Sequence, residues 1–228
     1  MPPILDVRDV HRLFASPAGT VTALTDVNFQ VGAGELVAII GPSGSGKSTL
    51  LNILGLLDRP SSGSYLLRGS DTAHLAERER TRVRAQSIGF VFQAFHLVAH
   101  KTAWANVALP LLYTRVPHRD RRRRAEEQLH RVGLGHRLDA YPATLSGGEK
   151  QRVAIARATV HGPSMLLCDE PTGNLDSETS ATVMDLLDRM AGDGLAVVVV
   201  THDPAVAARA DRVLRVRDGR LAEVTGHG

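Results

Sequence analysis

Between Gly41 and Thr49 the chain reads Gly-Pro-Ser-Gly-Ser-Gly-Lys-Ser-Thr, a spacing of glycines, lysine and hydroxyls that suits phosphate chemistry. Gly41, Gly44 and Gly46 permit positive φ and let the backbone come close to an anion. The whole stretch, including Pro42, Ser43 and Ser45, is the expected phosphate cradle. Its N–H groups and the positive end of a following helix would converge on phosphate oxygens. Lys47 would reach the β- and γ-phosphates, and the Ser48 hydroxyl would take a place on Mg²⁺.

A second group of side chains follows a second apolar run. Met165-Leu166-Leu167-Cys168-Asp169-Glu170 sets two carboxylates at the mouth of a buried strand. Side chains alternate along a strand, so the two should diverge and take separate tasks. Asp169 would support Mg²⁺, and Glu170 would polarise an attacking water. The third signal is Leu145-Ser146-Gly147-Gly148-Glu149-Lys150-Gln151. Ser146 and Glu149 have capping-box spacing at the head of a helix running through Arg157. Glycines in a first helical turn are poor helix formers. They make sense where backbone must approach another phosphate. One nucleotide cannot easily touch both glycine segments of one chain, which points to a nucleotide sandwiched between subunits.

These residues need a frame. Leu36-Val37-Ala38-Ile39-Ile40 reads as a buried strand before the glycine loop, and Leu50 to Leu54 as a helix after it. From Ile4 to Val31 short apolar and polar stretches alternate around a Ser16-Pro17-Ala18-Gly19 turn, predicting an antiparallel hairpin. Pro60-Ser61-Ser62-Gly63 is a turn leading into a strand over Ser64 to Leu67. Between Asp71 and Pro142 charged, helical stretches dominate: Ala76 to Gln86, Asn106 to Tyr113 and Arg119 to Val132, with a brief strand over Ile88 to Phe92. The frame resumes with strands over Ser164 to Cys168 and Ala196 to Val200, and a helix over Ser177 to Met190. Asp203-Pro204 opens a short helix, and Asp218-Gly219 joins two short strands. The expected fold class is α/β, a phosphate-loop NTPase core with a mainly parallel sheet and an N-terminal antiparallel β portion. A helical subdomain over 71–142 is inserted into a single domain of 228 residues, whose nucleotide-binding core is 1–70 and 143–228.

Composition sets the outer bounds. Hydrophobic content of 43% and charged content of 22% are ordinary for a soluble domain. The longest aliphatic run, Leu195 to Val200, is far too short to span a bilayer. No basic region followed by an apolar stretch opens the chain, and the single cysteine, Cys168, lies inside an apolar run. A reducing, cytoplasmic setting is the expectation. The net charge of +3 is concentrated in Arg78 to Arg84 and Arg119 to Arg124. Glu126 and Glu127 follow the second run, and stacking aromatics are missing there. This favours a solvated helix face, or one turned to anionic headgroups or a membrane partner's loops, over nucleic acid.

Nearly the whole chain resembles the nucleotide-binding subunit of an ABC transporter. Leu145 to Gln151 matches that family's signature motif. The resemblance implies that Ser146, Gly147 and Gly148 face ATP held by the opposite protomer, with Ser146 and Gly148 on its γ-phosphate. Gln93, after Phe90-Val91-Phe92, matches the glutamine loop that touches Mg²⁺ and the attacking water. Thr172-Gly173-Asn174-Leu175-Asp176 matches the D-loop, which places Asp176 at the dimer interface. His202 matches the switch histidine on the γ-phosphate. Phe14 falls where an aromatic ring, more often Tyr, stacks on adenine. Leu57 to Gly63, Phe92 to Leu97 and Asp169 to Asp176 resemble the macrolide-exporter and lipoprotein-releasing group. The implied protein is an ATP hydrolase with ATP and Mg²⁺ as ligands. It would form a homodimer and sit on the cytoplasmic face of the inner or plasma membrane through a permease. An ATPase that controls a membrane-bound hydrolase without moving a solute would use the same cassette. A nucleic-acid-acting relative would need long coiled coils or a second cassette, neither of which is here.

Overall fold

The computed structural model describes residues 2–17, 19–114 and 116–224. Two sheets and a set of helices share one chain. The first sheet is antiparallel in the order β2-β1-β4-β5, built from β1 (Leu5–Ser16), β2 (Gly19–Val31), β4 (Ser62–Leu67) and β5 (Ser70–Asp71). The predicted Ser16 to Gly19 turn includes Ala18, which lies outside the described residues, but its flanking strands pair in register from Leu5↔Val31 to Ser16↔Gly19.

The second sheet runs β10-β9-β3-β8-β7-β6. Its strands are β3 (Leu36–Ile40), β6 (Ile88–Phe92), β7 (Met165–Asp169), β8 (Ala196–Val200), β9 (Arg212–Arg217) and β10 (Arg220–Glu223). All neighbours pair parallel except β10, which closes a hairpin on β9. Parallel strands need crossovers, and here helices supply them: α1 (Lys47–Leu54), α5 (Gly147–Thr159), α6 (Ser177–Gly192) and α7 (Pro204–Ala207). The fold is therefore α/β, with an antiparallel sheet beside the mainly parallel one.

Period-two alternation divides the core. Val37, Ile39, Met165, Leu167, Val198 and Val200 pack with α1 and the antiparallel sheet. Leu36, Ala38, Leu166, Cys168, Val197 and Val199 pack on the other face with α5 and α6. A strand buried on both faces reads as a continuous aliphatic run, as these do. Burial pushes the Cys168 thiol far up, so it stays neutral.

Residues 71–142 carry α2 (Glu77–Ser87), β6, α3 (Ala103–Val107), a 3-10 turn over Leu109–Leu112 and α4 (His118–Arg131). The helix expected over Asn106 to Tyr113 begins earlier and breaks in two. Pro110 lacks an N–H, and the chain tightens to a 3-10 turn there. α2 buries no residue at all. On α4, Arg122 pairs with Glu126 at 2.7 Å and Arg123 with Glu127 at 2.7 Å, so much of the arginine run is spent on its own helix. No helix among the described residues is long and apolar enough to cross a membrane.

Candidate functional site

In a parallel sheet, the carboxyl ends of the strands share one edge. The loops after β3, β8, β7 and β6 carry the phosphate loop, His202, Asp169 with Glu170, and Gln93 respectively, so strand order alone lines these groups along that edge.

The phosphate loop is built by close backbone approaches. Gly41 has φ 156°, and a Cβ there would lie 2.2 Å from the Val216 carbonyl oxygen. Gly46 has φ 111°, with the Ala23 oxygen 2.6 Å from where its Cβ would stand. Gly46 is also the N-cap of α1; no side chain caps that helix and its first turn holds no acidic residue. Its leading N–H groups and dipole are thus left to an anion. Lys47 Nζ donates to the carbonyls of Gly41 at 2.7 Å and Pro42 at 2.8 Å, so the ammonium folds over the loop and makes no ion pair with a carboxylate among the described residues. Ser45 Oγ is buried without a hydrogen-bond partner. The Gly219 N–H donates to the Ser45 carbonyl at 3.0 Å and ties the β9–β10 turn to the loop. A cleft of about 520 Å³ opens beside Ser43, Gly44, Gly46, Lys47, Ser48 and Thr49, with Val21 to Ala23 and Asp218-Gly219 as its other walls.

Asp169 ends β7 in phase with Met165 and Leu167, on the α1 side of the sheet. Burial pushes its carboxyl above the ordinary range, the Glu170 charge adds to this, and Lys47 pulls the other way. Glu170 does diverge, through a left-handed backbone at φ 48°. Its N–H donates to Val200 O at 2.9 Å, and its carbonyl accepts from Gly173 at 3.1 Å. Its carboxylate accepts from Thr201 Oγ1 at 3.3 Å and pairs with His202 Nδ1 at 2.7 Å. The His202 side chain is 75% exposed, and the hydrogen bond and charge of Glu170 raise its pKa above 6.5. A cleft of about 610 Å³ runs past Glu170, Thr172, Gly173 and His202. Among the described residues no three His, Cys, Asp or Glu side chains gather as a metal cluster.

The remaining predicted residues are engaged elsewhere. Gln93 Nε2 donates to Asn174 Oδ1 at 3.3 Å, and Asn174 Nδ2 returns a bond to the Gln93 carbonyl at 3.0 Å. Ser146 heads α5 in the predicted capping box: its N–H donates to Glu149 Oε2 at 2.8 Å and its Oγ accepts from the Glu149 N–H at 3.2 Å. Gly147 and Gly148 have a packing reason within this chain. A Cβ on Gly148 would lie 2.3 Å from Thr179 Cγ2, and one on Gly147 would lie 3.2 Å from Leu175 Cδ2. Asp176 caps α6 through the Thr179 N–H at 2.9 Å and its hydroxyl at 2.7 Å, which holds the Asp176 carboxyl below its usual range. Phe14 stands half-exposed on β1 opposite Val21, with the Arg12 guanidinium 4.2 Å over its ring.

Sequence reading missed Thr201, which carries a hydroxyl to both Glu170 and the Asp203 N–H. It also missed Asn174 as the partner of Gln93. A threonine before a histidine, or an asparagine in a turn, carries no local signal of such a contact; the strand order creates it.

The chain matches a family model described as ABC transporter over residues 24–173. It is 49% identical over 219 residues to the Macrolide export ATP-binding/permease protein MacB 1/2 of Paracoccus denitrificans (strain Pd 1222), covering 96% of this chain and 33% of that protein. It is 46% identical over 221 residues to Macrolide export ATP-binding/permease protein MacB of Escherichia coli (strain K12), covering 97% and 34%. The chain thus spans about a third of the length of the curated relatives it matches. Among solved structures, it superposes on a dimeric post-hydrolysis state of the ATP-binding cassette MJ0796 bound to ADP and Pi. The TM-score is 0.85 at 40% identity, covering 98% of this chain and 100% of that one.

Proposed function

This chain belongs to the ABC transporter family, and from that premise we propose that it is the ATP-hydrolysing cassette of an export system. The observation that carries the proposal is the row of strand ends that brings the phosphate loop, Asp169 with Glu170, and His202 to one sheet edge. In our reading Gly41 to Thr49 wrap the phosphates of ATP, and Lys47 leaves its two carbonyls for the β- and γ-phosphates. Phe14 offers a ring face to adenine. Glu170 is the base that polarises the attacking water. His202 contacts the γ-phosphate, and its bond to Glu170 gives it a reason to hold a proton.

The residues present suit Mg²⁺. Such an ion keeps several waters and needs only one or two carboxylates beside the phosphates, so a larger acidic cluster is not required. Asp169 is a half-buried carboxylate whose environment disfavours its charge unless a cation compensates. Ser48 and Gln93 would complete the set. When bound, the ion would neutralise charge on the phosphates and align them.

Ser146, Gly147 and Gly148 of a second copy would close each site, giving a head-to-tail dimer around two ATP molecules. Two-fold symmetry makes such an interface self-complementary and closed. The permease lies outside these 228 residues. A groove of about 680 Å³ suits its cytoplasmic segment, with Ile88, Phe90, Phe92, Leu109 and Pro110 in its walls and Arg78, Arg82 and Tyr113 among its other lining residues. Tyr113 is 81% exposed there, and α2 buries nothing of its own. Relatives named for macrolide export favour export as the direction, and docking through the permease would hold the cassette at the cytoplasmic face of the membrane.

The test is Glu170→Gln. It removes the base while keeping the side chain's shape, so turnover should fall by about 10² or more. ATP and Mg²⁺ should still convert the variant to dimer on size-exclusion chromatography. Wild-type turnover from the variant, or a monomer under those conditions, would contradict the mechanism.

A further inference from the structure

Helix α5 does more than present Ser146. Its second turn carries Gln151, whose side chain is fully buried and whose Nε2 donates to the carbonyl oxygen of Pro171 at 2.5 Å. Pro171 is the residue after Glu170. The acceptor is a backbone carbonyl, which fixes the amide orientation: Nε2 must face Pro171, and Oε1 is then left buried with no partner. A buried acceptor without a donor costs about 1–3 kcal/mol. Stability alone gives no reason to keep such an atom.

Glu170 explains the need. Its φ of 48° is a left-handed conformation that a side chain bearing a Cβ adopts at a cost. Such a residue keeps its shape only when its neighbours are fixed. On the strand side, the Glu170 N–H is held by Val200 O. On the far side, the Pro171 ring sets its own φ, and the Gly173 N–H holds the Glu170 carbonyl at 3.1 Å. The peptide plane after Pro171 lies inside the turn that this bond closes, and the bond from Gln151 takes hold of its carbonyl from helix α5. Toward its N-terminus the same helix meets Leu175 through Gly147, and the first turn of α6 at Thr179 through Gly148.

We propose that Gln151 is a positioning residue for Glu170, clamping the Pro171 carbonyl so that the carboxylate keeps its place relative to the helix that begins at Ser146. The inference rests on the reading above, in which Glu170 serves one ATP and Ser146 the other. Gln151 then joins the base of one site to the helix that seals its twin's. A shift of the signature helix on nucleotide release would carry Pro171 with it and move Glu170 off its water.

The test is Gln151→Leu, with Gln151→Met as a second variant should the first not fold. Leucine fills a similar volume and removes the donor to Pro171 together with the unpaired Oε1, so the two stability terms oppose and the melting temperature should stay within a few degrees. The kcat should fall about tenfold, since small misplacements of a reacting group are costly. The KM for ATP should stay within about threefold, because the phosphate loop on β3 is untouched. In a Glu170→Gln background, single-turnover hydrolysis should show no further loss on adding Gln151→Leu, because no base remains to position. A folded variant whose kcat stays within twofold of wild type overturns the proposal, and so does a tenfold loss that persists in the Glu170→Gln background. A wild-type protein without ATPase activity would overturn the functional reading itself; an active wild type with an unchanged Gln151→Leu variant would overturn this inference alone.

Discussion

Gly148→Ala separates two reasons for a glycine at the head of α5. An added Cβ would stand 2.3 Å from Thr179 Cγ2. Thr179 cannot simply turn away: its hydroxyl donates to Asp176 Oδ2 at 2.7 Å and its N–H to Oδ1 at 2.9 Å. Rotation would break its hydrogen bond to the exposed Asp176 carboxylate and undo part of the α6 cap. Alternatively α5 and α6 must separate, an overpacking cost of about 1–3 kcal/mol. Against either stands the helix preference of Ala over Gly, about 1 kcal/mol. The net loss should be at most about 2 kcal/mol. At about 2–4 °C per kcal/mol for a domain of this size, thermal denaturation should shift down by at most about 8 °C. Adding Thr179→Ser removes the offending methyl group and keeps the hydroxyl on Asp176, so the double variant should melt close to Thr179→Ser alone. A double variant that melts well below Thr179→Ser alone, or a Gly148→Ala protein more stable than wild type, refutes the packing account. ATPase activity then decides the rest. A double variant that is stable but inactive would mean that the backbone at 148 must itself approach a phosphate.

Further outcomes follow from the same site. The His202 ring, titrated by NMR, should show a pKa above 6.5, and Glu170→Gln should return it toward that value. Because the folded pKa is raised, the His202–Glu170 attraction is fully present below the unfolded value near 6.5 and is lost as pH rises through the folded one. Lys47→Met should abolish binding of a fluorescent ATP analogue while leaving the melting temperature nearly unchanged, since among the described residues the hydrogen bonds of the ammonium go to the Gly41 and Pro42 carbonyls of its own loop. Tyr113→Asp, at a position 81% exposed, should leave ATPase activity of the isolated cassette unchanged and weaken its recovery with permease-containing membranes.

Legibility followed distance along the chain. The phosphate loop and the Asp169-Glu170 pair are contiguous and follow aliphatic runs, so strand, loop and helix could be placed from side-chain types alone. The α/β class followed from such runs along the chain, and the family from Leu145 to Gln151 with Gln93, Thr172 to Asp176 and His202. Gln151 and Pro171 stand 20 residues apart, and Gln93 and Asn174 81 apart. No local pattern joins such pairs; they meet because β6 and β7 are neighbours and α5 packs against β6. The glycines of α5 were legible as anomalies but not in their packing role, because Thr179 belongs to another helix. Pro110 was visible in the sequence, yet its effect was underrated: it turned one expected helix into a short helix and a 3-10 turn.

Sheet geometry also bears on why the proposed site would need a second copy. The order β3-β8-β7-β6 puts three inter-strand steps between the strand that feeds Lys47 and the strand on which α5 packs. At about 4.8 Å per step this is roughly 14 Å, before the thickness of the helix is added. A hydrogen bond spans about 3 Å. In the proposed reading, a terminal phosphate held by Lys47 would therefore lie beyond the reach of Ser146 in the same chain, even though both segments carry the glycines that a phosphate invites. Each half would supply what the other lacks: an uncapped α1 whose N–H groups are left to an anion, and an exposed Ser146 at the head of α5. Pairing two copies head to tail satisfies both halves at once. In that arrangement Gln151, between Ser146 and Glu170, links the two sites through the body of one protomer.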